Sequence, residues 1–97
     1  MLAVTISMGE TELPIATKLV GDYNLPNVLA AVALGHEFDI TADAIKMAIE
    51  SYRPSNSRSQ LVEKGSNKII LDAYNANPSS MKLAIENLAH IKADKKY

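Results

Sequence analysis

A chain of 97 residues has room for one small domain or for pieces of two, and a hydrophobic fraction of 47% marks it as folded rather than disordered. Ten basic residues against eleven acidic ones leave a net charge of −1, so the composition offers no electrostatic footprint for nucleic acid or an anionic membrane. Cysteine is absent and only two histidines are present, which removes disulfides, thiolate metal sites and a histidine metal site. No stretch approaches the ~18–20 apolar residues of a membrane span, and the first residues lack the charged region of a signal peptide, so the cytoplasm is the expected location.

Residues 2–8 alternate, with Leu2, Val4, Ile6 and Met8 on one face and Ala3, Thr5 and Ser7 on the other. That is the period of a half-buried strand. Gly9-Glu10 reads as a turn into a second extended segment over 11–19, with Ile15, Thr17 and Leu19 on one face and Pro14 favouring an edge position. From Asn24 the spacing becomes helical, with Leu25, Val28, Leu29 and Val32 at i, i+3, i+4 and i+7. Pro26 fits the first turn of this helix, which fades around Glu37-Phe38. Thr41 is the expected N-cap of a second helix, Asp43 suits its first turn, and Ile45, Ala48, Ile49 and Tyr52 form its expected buried stripe. Pro54-Ser55-Asn56-Ser57 is polar and aperiodic, the best linker candidate. Short strands over 60–63 and 68–71 flank the hairpin signal Gly65-Ser66-Asn67. Asn77 and Pro78 are a natural N-cap and first residue for a last helix whose apolar face is Met81, Ala84, Ile85, Leu88 and Ile91.

The expected class is therefore α/β, in the order β-β-α-α, linker, β-β-α. The last helix has only a small hairpin to pack on, and the chain stops where an α/β unit would normally feed into its next strand. Both features suggest pieces of larger domains, whose uncovered apolar surface leaves room for self-association.

Three places carry chemistry. The segment Asp72-Ala73-Tyr74-Asn75-Ala76-Asn77-Pro78 lies between a strand end and a helix start, where α/β proteins bind ligands. Asp72 reads equally well as an acceptor for sugar hydroxyls and as a polar turn residue; Asn75 and Asn77 would orient a ligand, Asn77 first as a cap. Asn27 sits in the first turn of its helix, where an amide neither caps nor favours the helix; it is either an exposed polar residue or a reader of the donor and acceptor edge of adenine. Asn24, by contrast, is explained as a cap. Arg58, at a strand entry, is either a solvated charge or a clamp for phosphate or ribose. Glu86 and His90 read as an i, i+4 surface pair. No Gly-x-x-x-x-Gly-Lys-Ser/Thr loop is present to cradle a triphosphate.

Taken together, three segments resemble the Mur ligases. Tyr23-Asn24-Leu25-Pro26-Asn27-Val28-Leu29-Ala30-Ala31 is similar to their His/Tyr-Asn-x-x-Asn-x-x-Ala-Ala helix. Asn56-Ser57-Arg58-Ser59-Gln60 is similar to the arginine segment that opens their C-terminal domain. Asp72-Ala73-Tyr74-Asn75-Ala76-Asn77-Pro78-Ser79-Ser80-Met81 is similar to an Asp-x-Tyr-Asn-Ala-Asn-Pro-x-Ser-Met loop found in members that add a D-alanyl-D-alanine unit.

The resemblance implies a division into residues 1–53 at the end of the central ATPase domain, a linker over 54–57, and residues 58–97 at the start of the C-terminal ligase domain. It implies ATP and Mg2+ as cofactors, with UDP-muramoyl-tripeptide activated as an acyl phosphate and attacked by the amine of D-alanyl-D-alanine. By position it makes Asn27 the reader of adenine. Arg58 and Asp72 become residues that close over the ribose and phosphates, and Asn75 and Asn77 shape the same loop. Tyr23 stands where many relatives carry His, so no catalytic role follows for it. The family's phosphate loop, magnesium ligands and carbamylated lysine would lie before residue 1, so the chain alone is expected to be inactive. Two other readings are a non-catalytic α/β module that binds a nucleotide or a protein, and a related amide ligase such as a folylpolyglutamate synthase, whose loop usually carries a His that is missing here.

Overall fold

The computed structural model describes residues 1–97 and has the element order β1 (Ala3–Met8), β2 (Thr11–Ala16), α1 (Leu25–Glu37), α2 (Ala42–Ser51), β3 (Gln60–Lys64), β4 (Asn67–Leu71) and α3 (Pro78–His90). A short 3-10 turn over Asp22–Asn24 leads into α1. This is the expected α/β order. The chain divides into two compact units, Met1–Arg53 and Pro54–Tyr97.

In the first unit β1 and β2 form an antiparallel hairpin, with Ala3 opposite Ala16 at one end and Met8 opposite Thr11 at the other. The cross-strand pairs Val4–Ile15 and Ile6–Leu13 put the alternating apolar residues on one face. That face meets both helices. Leu2, Leu13, Ile15, Val28, Val32 and Ile45 form the buried core, flanked by Val4, Ile6, Met8, Leu19, Ala42 and Ile49. The second strand is shorter than the expected 11–19 segment. Leu2 accepts from the Thr17 N–H (3.0 Å) and donates to the Leu19 carbonyl (2.9 Å), so Lys18 has no place in the ladder and regular pairing ends at Ala16. Thr17 is buried, and its hydroxyl donates to the Leu2 carbonyl (2.6 Å) and accepts from the Leu19 N–H (3.2 Å).

The helix stripes differ from expectation in detail. In α1 the buried line is Val28, Val32 and Gly35, while Leu25 and Leu29 turn outward, Leu29 being 46% exposed. The cause is the close approach of α2: a Cβ on Gly35 would lie 2.8 Å from Ile45 Cγ1, so only glycine lets the two helices meet along this line. In α2 Ala42, Ile45 and Ile49 face inward, whereas Ala48 and Tyr52 are exposed. Tyr52 leaves the helical track because its backbone is already extended (φ −64°, ψ 129°). Thr41 does cap α2, its hydroxyl accepting from the Ala44 N–H at 3.3 Å.

The second unit is a smaller hairpin and a helix. Strands β3 and β4 pair antiparallel from Gln60–Leu71 to Lys64–Asn67, so Asn67 belongs to the strand and Gly65-Ser66 alone make the turn. The apolar face expected for α3 is only partly covered: Ala84, Leu88 and Ile91 are half-buried, while Met81 and Ile85 are exposed, Ile85 by 61%. No apolar residue of this unit is fully buried, because a two-stranded hairpin has too little surface to cover the stripe. None of the helices is long and apolar enough to cross a membrane.

Candidate functional site

In the second unit, a set of polar contacts joins the segment around Arg58 to the loop after β4. Both serines that flank Arg58 have positive φ, 58° at Ser57 and 49° at Ser59. Serine adopts this region at a cost of order 1–2 kcal/mol, so the surroundings must hold it there. They do so at several points. The Ser57 carbonyl accepts from the Ala73 N–H (2.8 Å), the Ser57 N–H donates to Gln60 Oε1 (3.4 Å), and the buried Ser59 hydroxyl donates to Asp72 Oδ2 (3.2 Å). The Arg58 guanidinium lies over the Tyr74 ring, 3.9 Å from its centroid.

This arrangement leaves reactive edges open. A guanidinium stacked by its face keeps its N–H groups in the plane of the fork, where carboxylates and phosphates are bound. No hydrogen bond or ion pair engages those N–H groups in the structure. Asp72 is exposed, and the serine bond occupies only one of its carboxylate oxygens. A cation donor and an acceptor for hydroxyls are thus presented from one loop cluster, which suits a ribose and its phosphates. No group of three or more His, Asp or Glu side chains converges in the chain.

Asn77 closes the loop as the N-cap of α3. Its side-chain oxygen accepts from the Ser80 N–H (3.0 Å), and the Ser80 hydroxyl accepts in return from the Asn77 N–H (3.2 Å), a reciprocal capping box. Pro78 follows at the first helical position, where its missing N–H is not needed. Asn75 contributes its carbonyl, which accepts from the Ser80 hydroxyl (3.3 Å), and its side-chain amide has no protein partner.

Asn27 belongs to the first unit. Its amide donates to Asn24 Oδ1 (3.2 Å), and Asn24 in turn donates to the Val20 carbonyl (2.9 Å). This corrects one expectation: Asn24 has helical backbone and makes no side-chain cap. Its oxygen is given to Asn27 instead, which leaves the Asn27 carbonyl oxygen and one amide hydrogen free. The turn before it depends on Gly21, whose φ is 94° and whose hypothetical Cβ would lie 2.3 Å from the Tyr23 ring.

The loop cluster therefore gathers Arg58, Asp72, Asn75 and Asn77 in one unit, with Asn27 on α1 in the other. Sequence reasoning assigned no role to Ser59 or Tyr74. The signal for Tyr74 is its two-residue spacing from Asp72, which in extended chain puts both side chains on one side; Ser59 carries no comparable signal.

No family model matches the chain. Curated relatives do. It is 39% identical over 79 residues, 81% of its own length, to a UDP-N-acetylmuramoyl-tripeptide–D-alanyl-D-alanine ligase of Treponema pallidum. It is 36% identical over 69 residues, 70% of its length, to the ligase of the same name from Bacillus subtilis. The chain spans only 17% and 15% of those two relatives. In fold it matches a crystal structure of MurF from Acinetobacter baumannii with a TM-score of 0.79 over 93% of its residues and 20% of that protein, at 24% identity. By sequence the chain belongs to the Mur ligase family, corresponding to about a sixth of those two relatives, and its fold agrees with that of the crystal structure.

Proposed function

We propose that this chain supplies ATP-binding residues to a cytoplasmic ligase that joins D-alanyl-D-alanine to UDP-N-acetylmuramoyl-tripeptide in peptidoglycan synthesis, using ATP and Mg2+. The observation that carries the reading is the loop cluster of the second unit, in which a free guanidinium fork and a free carboxylate edge are held by the segment similar to the family's loop. Arg58 and Asp72 hold the phosphates and ribose. Asn75 offers an unengaged amide to the same ligand, and Asn77 keeps the loop in shape through its capping box. Asn27 reads the adenine with the amide edge that Asn24 leaves free. Residues 1–53 are the end of the central ATPase domain, 54–57 the linker, and 58–97 the opening of the C-terminal ligase domain. The chain alone lacks a phosphate-binding loop and is inactive.

The test uses a complete ligase carrying this segment. Loss of a charge-assisted hydrogen bond is worth about 1.5–3 kcal/mol, so Asp72→Ala should raise the KM for ATP by tenfold or more. The neutral bonds of Asn27 are weaker, and Asn27→Ala should raise it by about fivefold. Unchanged ATP kinetics in both variants would sink the assignment. The 97-residue chain itself should release no phosphate from ATP, and calorimetry should show no tight ATP binding. A strong binding isotherm for the isolated chain would favour the rival reading, a free-standing nucleotide-binding module.

A further inference from the structure

We infer that Tyr74 is a positioning residue for Arg58, a role that rests on Arg58 being the residue that holds the phosphates and ribose of ATP. Arg58 and Asp72 carry opposite charges and are tied into one loop cluster, since Ser59, next to Arg58, donates to the Asp72 carboxylate. Left to themselves, such groups tend to pair with each other, which would consume the edges that a ligand needs. They do not pair in the structure. The guanidinium is instead stacked on the Tyr74 ring at 3.9 Å from the centroid, a contact that uses its face and spares its N–H fork. The carboxylate is meanwhile held by a neutral hydroxyl on one oxygen only. Tyr74 thus holds the arginine by its face, with the N–H fork left for a ligand, and keeps it off the aspartate. Tyr74 is 61% exposed, so its replacement leaves no hole in a core.

The experiment separates the ring face from the hydroxyl and from Arg58 itself. In the complete ligase carrying this segment, Tyr74→Leu removes the face, Tyr74→Phe keeps it, and Arg58→Ala removes the group being positioned. An exposed cation–π contact corresponds to about a two- to fivefold change in affinity. Tyr74→Leu should therefore raise the KM for ATP by about two- to fivefold with kcat nearly unchanged, and Tyr74→Phe should stay close to the parent. If Arg58→Ala raises KM and Tyr74→Leu does not, the positioning role is wrong while the ATP reading stands. If Tyr74→Phe is as damaging as Tyr74→Leu, the hydroxyl rather than the ring face acts, and the role is again overturned. If Arg58→Ala leaves KM unchanged, the reading of Arg58 fails and the positioning role with it. In the 97-residue chain, the Arg58 δ protons should show a ring-current upfield shift by NMR that survives Tyr74→Phe and disappears in Tyr74→Leu.

Discussion

Asn77 joins loop to helix with a single amide. Its oxygen accepts from the Ser80 N–H, and the Ser80 hydroxyl returns the bond to the Asn77 N–H. Both donors are helix-end groups that the helix itself does not satisfy. Asn77→Ala removes one half of this box and should cost about 1 kcal/mol of stability, whereas Asn77→Asp keeps the acceptor and should be close to neutral. Urea denaturation of the two variants tests this, and equal losses would show that the cap bond is not what stabilises the turn. At the same scale, Asn24 and Asn27 illustrate how little a residue type reveals alone. Two amides three positions apart in one motif have different duties, one facing the Val20 carbonyl and its partner, the other left half free.

Among the elements, β2 has an outer edge that needs protection, because a two-stranded sheet exposes unpaired backbone groups on both sides. Helix α2 covers that edge with side chains one turn apart. Lys46 donates to the Pro14 carbonyl, Glu50 accepts from the Ala16 N–H at 3.0 Å, and the two side chains pair at 3.2 Å. Together they imitate a neighbouring strand, with one donor and one acceptor in the right order. Pro14 fits this edge since it has no N–H to satisfy. The hydrogen bond from Ala16 and then that from Lys46 hold the Glu50 carboxyl below the usual glutamate range, and the charges of Lys46 and Lys18 act in the same direction. A carboxyl with a lowered folded-state pKa stabilises the fold above its unfolded value of about 4.3 and loses that contribution as pH falls through the folded value. The parent chain should therefore lose stability relative to Glu50→Gln as pH is lowered from 7 through 4 and below. Parallel pH dependences of the denaturation midpoints of the two proteins would contradict the contact.

Across the whole chain, burial is uneven. All six residues of the apolar core lie between Leu2 and Ile45, and residues 54–97 bury no apolar side chain fully. Local stability follows buried apolar contact. Backbone amides of β1, β2, α1 and α2 should therefore exchange with solvent more slowly than those of β3, β4 and α3. Native-state hydrogen exchange reads this directly, and equal protection in both units would refute it. Arg58 and Asp72 both lie in the unit that buries no apolar side chain fully.

Much of this was legible in the residues. Alternation over 2–8, helical spacing from Asn24, Thr41 and Asn77 as caps, Pro26 and Pro78 in first turns, and both hairpins all follow from short-range chemistry, which acts between residues a few positions apart. The motif loop was legible for the same reason, as a polar run between a strand end and a helix cap. Only the tertiary structure decided which apolar residues are inside, since the close contact of Gly35 with Ile45 chose the buried line of α1 and left Leu25 and Leu29 outside. It also decided that His90 Nδ1 meets the Glu86 backbone carbonyl at 2.6 Å while the Glu86 carboxylate turns to Lys82, in place of the side-chain pair the spacing suggested. Likewise it laid Arg58 on Tyr74 and bonded Ser59 to Asp72, contacts between residues 16 and 13 positions apart in the sequence. Local period and cap chemistry carry no information about such distant partners; chain packing selects them, and here it gave Arg58 an aromatic face and Asp72 a serine hydroxyl as partners.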